Sequence, residues 1–185
     1  SMDASQYKDV VLGLVFLKYV SDAFEERRDT IRAELAGEED SYIAETLEDV
    51  DEYVGNGVFW VAPTARWSYI AANAKGIPAS ASDDAQSVGD LIDAAMRTLS
   101  KDNAALEGTL PTLFGRDNVD QRRLGELVDL FNSARFTGEG ASKARDLLGE
   151  VYEYFLDKFA KAEGKRGGEF YTPPVLVQTL VEILE

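Results

Sequence analysis

The chain of 185 residues carries 34 Asp and Glu against 19 Lys and Arg, a formal net charge of −15, and it contains no His and no Cys. This composition excludes thiolate nucleophiles, imidazole bases, disulfides and zinc held by nitrogen or sulfur, and leaves carboxylates, Lys, Ser and Tyr for any catalysis. With 45% hydrophobic and 10% aromatic residues, it reads as a globular chain, long enough for one domain that buries roughly 70% of its unfolded surface.

Asp3 and Gln6 have the spacing of an N-terminal capping box, and Tyr7, Val10, Val11, Leu14, Leu17 and Phe24 follow at helical intervals. The pattern predicts one long helix to Leu35, with Glu25, Glu26, Arg27, Arg28 and Arg32 on a polar face and Gly37 as its stop. Residues 10–20 are interrupted by Gly13 and Lys18, and no apolar run reaches the about 18 residues of a membrane span. Neither a span nor a signal peptide is indicated, which points to a cytoplasmic protein without a membrane partner. Residues 37–57 hold eight acids, Glu38, Glu39, Asp40, Glu45, Glu48, Asp49, Asp51 and Glu52, and no base. A solvated helix face and loop is the simpler reading, and an acidic surface for a basic partner is the alternative. Val58-Phe59-Trp60-Val61 is either a small strand or an apolar anchor ahead of Pro63.

Further helices are predicted over residues 65–74, over 88–99 after a Ser87 cap, over 121–131 and over 141–162, with residues 75–86 and 107–118 as the longest loops. Strand signal is nearly absent, so the fold class is all-α, a multi-helix domain with at most a minor strand. Ser1 before Met2 reads as a cloning remnant, and residues 175–185 are still helical in pattern where the sequence stops. The chain is therefore read as part of a longer polypeptide.

Searches for chemistry return few motifs. There is no Gly-x-x-x-x-Gly-Lys-Ser/Thr phosphate loop, no Gly-x-Gly-x-x-Gly, no Gly-x-Ser-x-Gly elbow and no Asp-rich calcium loop. Gly138-Glu139-Gly140-Ala141-Ser142-Lys143 has neither the spacing nor the preceding strand of a phosphate loop and reads as a helix-capping loop. The informative stretch is Gly164-Lys165-Arg166-Gly167-Gly168-Glu169-Phe170-Tyr171-Thr172-Pro173-Pro174. Its glycines permit a close backbone approach, two aromatics follow, Thr172 suits a helix cap and Pro173 the first helical position. On the residues alone, a loop with buried aromatics before a capped helix and a ligand-facing loop are both open.

Gly167-Gly168-Glu169-Phe170-Tyr171-Thr172-Pro173, preceded by Leu148-Gly149-Glu150-Val151-Tyr152-Glu153-Tyr154-Phe155-Leu156, resembles the DNA-methyltransferase (modification) subunits of type I restriction-modification systems. The likeness extends to the segment from Val11 to Asp22, to Ala65-Arg66-Trp67, and to Arg123-Leu124-Gly125-Glu126-Leu127-Val128-Asp129-Leu130, four matches in family order. The resemblance implies an N-terminal helical domain over residues 1–163. A linker loop and first helix over residues 164–185 would then lead into a Rossmann-like catalytic domain, and the chain would stop just before that domain. The parent it implies is an S-adenosylmethionine-dependent, adenine-N6-specific DNA methyltransferase. That enzyme works in a complex with a specificity subunit, a restriction subunit, a second modification subunit and duplex DNA.

The family's cofactor motif and its Asn/Asp-Pro-Pro-Tyr/Phe motif are not in this sequence, and Thr172-Pro173-Pro174 is no substitute. The parent would be the enzyme and this piece inert. By position, Glu169, Phe170, Tyr171, Thr172, Pro173 and Pro174 correspond to the family stretch that lies against S-adenosylmethionine. A helix start there favours the cofactor's carboxylate, although the two prolines leave the amides of Thr172 and Val175 as its main free donors. The competing reading is an acidic helical protein-interaction module unrelated to methylation. Direct DNA binding by this chain is opposed by its net charge, with only Lys158, Lys161, Lys165 and Arg166 as a local basic group.

Overall fold

The computed structural model describes residues 4–132. Six α-helices run in the order α1 (Ala4–Glu34), α2 (Asp40–Leu47), α3 (Asp51–Val54), α4 (Trp67–Ala72), α5 (Val88–Asp102) and α6 (Gln121–Asn132), with short 3-10 turns at Pro63–Ala65 and Ala104–Leu106. The all-α expectation holds. The predicted helix over 65–74 divides into a 3-10 turn and the shorter α4, because Arg66 between them takes an extended conformation with ψ 142. The predicted helix over 141–162 lies outside the described residues.

α1 is the axis of the domain. It departs from the amphipathic reading in its first half: residues 10–18 are all buried, Gly13 and Lys18 included. A helix that is apolar all round belongs inside a core rather than on its rim. α1 packs against α2, α4 and α6, while α5 packs against both 3-10 turns, α4 and α6. Gly13 allows the crossing, because a Cβ there would stand 2.7 Å from the Phe114 ring. The one charge in this stretch, Lys18, ion-pairs with Asp22 Oδ1 at 2.6 Å, and its Nζ lies 5.8 Å from the centre of the Trp67 ring.

α5 begins as its sequence predicts. Ser87 Oγ accepts from Asp90 N and Asp90 Oδ2 accepts from Ser87 N, a complete capping box. Its buried Asp93 then fastens the long loop ahead of α6, accepting from Phe114 N at 3.0 Å and Gly115 N at 2.9 Å. The 75–86 loop is closed by a single antiparallel bridge between Ile77 and Gln86.

Val58-Phe59-Trp60-Val61 forms no strand, and the anchor reading is the correct one. The backbone runs extended, and the buried Asn103 side chain takes the place of a pairing strand. Asn103 Oδ1 accepts from Trp60 N at 3.1 Å, and its Nδ2 donates to Trp60 O at 3.0 Å. Backbone groups buried in such a segment need partners, and one amide supplies both.

Candidate functional site

Glu169, Phe170, Tyr171, Thr172, Pro173 and Pro174, together with the basic group Lys158, Lys161, Lys165 and Arg166, lie outside the described residues. Within the described residues, charge and aromatic side chains converge most densely where the acidic segment meets α1. Phe24 on α1 stacks on Tyr53 of α3 with ring centres 4.6 Å apart, and Trp60 sets its edge against both at 5.4 and 5.2 Å. Tyr53 is fully buried, and its hydroxyl donates to Leu47 O at 2.7 Å.

Three arginines surround this aromatic group. Arg27 donates to Glu52 O at 2.8 Å and to Glu52 Oε2 at 3.1 Å. Arg28 donates to Leu47 O and to Glu48 Oε1, both at 3.1 Å. Arg66 lies over the Phe24 ring at 4.7 Å and over Trp60 at 6.0 Å, and its Nε donates to Val61 O at 3.1 Å. Arg66 Nη2 reaches Glu48 Oε2 at 3.7 Å, within ion-pair range yet too long for a hydrogen bond, and this buried nitrogen has no other acceptor.

The two arginines respond differently to the same surroundings. Burial opposes the Arg28 charge, but the bond to Glu48 and the pull of Tyr53 and Glu48 outweigh it, so the guanidinium is held above its usual value. Burial and then the like charge of Arg28 lower Arg66, against the attraction of Glu48. Burial raises the Tyr53 phenol, with Arg28 acting in the opposite direction.

The polar face predicted for α1 is covered at this junction. Arg28 is 9% exposed and reaches the end of α2. The acidic segment has no base of its own, yet Glu48 and Glu52 are compensated from α1 and from Arg66. Glu38, Glu39, Asp40, Glu45, Asp49 and Asp51 remain exposed. The signal that could have found the clasp was the pair Arg27-Arg28, placed late on a helix whose earlier turns are apolar.

A cleft of about 500 Å³ opens on the other side of the domain, between the end of α4 and the starts of α5 and α6. Ala74, Val88 and Gly125 line it with Lys75, Arg122, Glu126 and Asp129. Arg122 is paired with Glu126 at 3.2 Å, so the charges are mixed. Among the described residues no group of three or more acidic side chains is placed to hold a metal ion, and no helix is long and apolar enough to cross a membrane. The arginine cluster holds the helices around it in place.

Of the segments that carried the family resemblance, those at residues 11–22, 65–67 and 123–130 lie among the described residues and contribute to the core. Ala65 and Trp67 are buried, Trp67 N donates to Ser21 Oγ at 2.7 Å, and Gly125 sits so close to α4 that a Cβ would stand 2.4 Å from Ala74 O. These are packing positions, so a sequence sharing them shares the fold.

Comparison with known proteins agrees. Residues 1–131 match the family model for the HsdM N-terminal domain, and residues 143–185 match a second family model, N-6 DNA Methylase. The chain is 33% identical over 192 residues to the type I restriction enzyme MjaIX methylase subunit of Methanocaldococcus jannaschii, covering 100% of this chain and 32% of that protein. It is 44% identical over 104 residues to the type I restriction enzyme HindI methylase subunit of Haemophilus influenzae, covering 53% of this chain and 23% of that protein. With the MjaVIII methylase subunit of M. jannaschii it shares 26% over 179 residues, 95% of this chain and 28% of the relative. The chain thus spans about a third or less of the length of these curated relatives. A match that runs from α1 into α6, over the residues that build the core, places the chain in the HsdM N-terminal domain family.

Proposed function

We propose that the chain is the helical N-terminal domain of an adenine-N6 DNA methyltransferase subunit of a type I restriction-modification system, and that it serves assembly with a specificity subunit around DNA. The observation that carries this reading is the order of the two family matches, an HsdM N-terminal domain over residues 1–131 followed by N-6 DNA Methylase over residues 143–185. The second match weighs against an acidic interaction module unrelated to methylation. The described geometry is in keeping with an assembly role, since its polar clusters fix the arrangement of helices. On this reading residues 1–163 form the helical domain and residues 164–185 lead into the catalytic one. The remaining partners are a second modification subunit and a restriction subunit.

S-adenosylmethionine would supply the methyl group, as an electrophilic sulfonium. The donor set at residues 169–174 suits it: Phe170 and Tyr171 offer flat apolar faces, Thr172 a hydroxyl, and the amides of Thr172 and Val175 two hydrogen-bond donors for a carboxylate. Glu169, Pro173 and Pro174 complete that stretch in the sequence. In the full-length protein, Tyr171→Ala should weaken cofactor affinity by about 5- to 150-fold, the equivalent of roughly 1 to 3 kcal/mol of lost stacking and apolar contact. Unchanged affinity in a variant with normal melting temperature would reject the cofactor role of Tyr171. The function as a whole is tested by mixing the full-length protein with its specificity subunit, labelled S-adenosylmethionine and adenine-containing duplex; no label on adenine N6 would overturn it.

A further inference from the structure

The turn that ends α3 carries the chain's sole Asn-Gly pair, Asn56-Gly57. Both residues are exposed, Gly57 has φ 72, and no heavy atom lies within 4 Å of where a Cβ would stand on it. We propose that Asn56 is a self-modification site that deamidates in the folded protein. The Gly57 backbone nitrogen attacks Asn56 Cγ; the new N–Cγ bond forms as the Gly57 amide proton is lost to water. The Cγ–Nδ2 bond then breaks and ammonia leaves, giving a five-membered imide. Water opens that ring at one carbonyl or the other, yielding Asp at position 56 or an isoaspartyl linkage. Solvent water is the only other reactant and no electrons are transferred.

Two of the other described asparagines, Asn118 and Asn103, show what sets this one apart. Asn118 is equally exposed, but the next residue is the β-branched and buried Val119, whose side chain crowds the attacking nitrogen. Asn103 is buried, and its amide is engaged at both ends by Trp60. Asn56 does make bonds: Nδ2 donates to Glu52 O at 2.9 Å, and Gly57 N donates to Val54 O at 3.1 Å. They lie at the exposed end of a four-residue helix whose one buried side chain is Tyr53. Elements with so little buried surface open at small free-energy cost, and the reaction proceeds from the opened turn. The product exchanges a donor to Glu52 O for a carboxylate, beside the glutamate that Arg27 holds, and adds a ninth acid to the segment.

The test is incubation of the purified full chain at physiological temperature and mildly alkaline pH, followed by peptide mass spectrometry. The expected result is a mass gain of about one dalton, resolved into two isomers, in the peptide that spans Asn56, with Asn118 in the same sample still an amide. Asn56→Gln should abolish the gain. The proposal is overturned if Asn56 converts no faster than Asn118, or if it converts in the unfolded chain alone and stays intact in the folded one.

Discussion

Arg28 and Arg66 stand in one cluster and share Glu48, yet they should tolerate replacement differently. Arg28→Met removes a charge-assisted bond to the buried Leu47 carbonyl, and its own charge is favoured where it sits. We expect a loss of about 1 to 3 kcal/mol, read as a melting temperature lower by about 2 to 12 °C. Arg66→Met removes the bond to Val61 O but also a buried nitrogen without an acceptor, in a place that disfavours its charge. Its cost should be the smaller, and thermal denaturation of the two variants that showed the reverse order would contradict this account of the clasp.

Tyr53 supplies a pH dependence whose sign is fixed. Its folded pKa lies above the ordinary 10.0 because burial disfavours the phenolate, so between those two values the folded state binds more protons than the unfolded one. The contribution is present in full below pH 10.0 and is lost as pH rises through the raised folded value. An alkaline absorbance titration should show one tyrosine ionising later than the rest, and that late step should vanish in Tyr53→Phe.

At the scale of elements, close approach joins α4 to α6, while the Asp93 carboxylate ties the Phe114 loop to α5. Gly125→Ala forces a Cβ against Ala74 O, with backbone on both sides and little room to yield; a cost of about 1 to 3 kcal/mol follows from overpacking. Asp93→Asn keeps the size but turns one acceptor into a donor facing a loop N–H, at a similar cost of about 1 to 3 kcal/mol. Chemical denaturation should show both losses, and two neutral variants would mean that the loop is held by other contacts.

These elements also mark what the sequence could and could not reveal. Periodicity exposed α1 and α6, and periodicity with the Ser87 cap exposed α5, because those signals are local; the Asp3 end of the cap expected for α1 lies outside the described residues. The split at Arg66 was illegible, since its arginine is drawn over the ring of Phe24, a residue on α1 far from the local pattern. The role of Asn103 was illegible for the same reason, 43 residues from the strand-like segment it satisfies. Residues 169–174 are assigned by family resemblance alone and lie outside the described residues, while the clasp of Arg27 and Arg28 was hidden by a polar-face pattern that fits either solvent or an acidic neighbour.

For the whole molecule, charge sets the behaviour. A chain at −15 repels phosphate at long range, and Glu38, Glu39, Asp40, Glu45, Asp49 and Asp51 stay exposed. At physiological salt an anisotropy titration with non-specific duplex should therefore show no submicromolar binding. Tight binding would require a basic surface that outweighs the acidic segment.

The buried girdle of residues 10–18, apolar but for Lys18, carries a cost in time. On the ribosome that stretch emerges first, whereas Leu124, Val128 and Phe131 of α6, which share its core, come more than a hundred residues later. At the usual pace of about 5 to 20 residues per second, α1 waits on the order of 5 to 20 s with an oily surface on every side and nothing yet synthesised to cover part of it. Nascent chains stalled before α6 should therefore be held by chaperones or precipitate, and chains extended past Asn132 should release, so that the same nine residues that centre the finished domain set the hazard of making it.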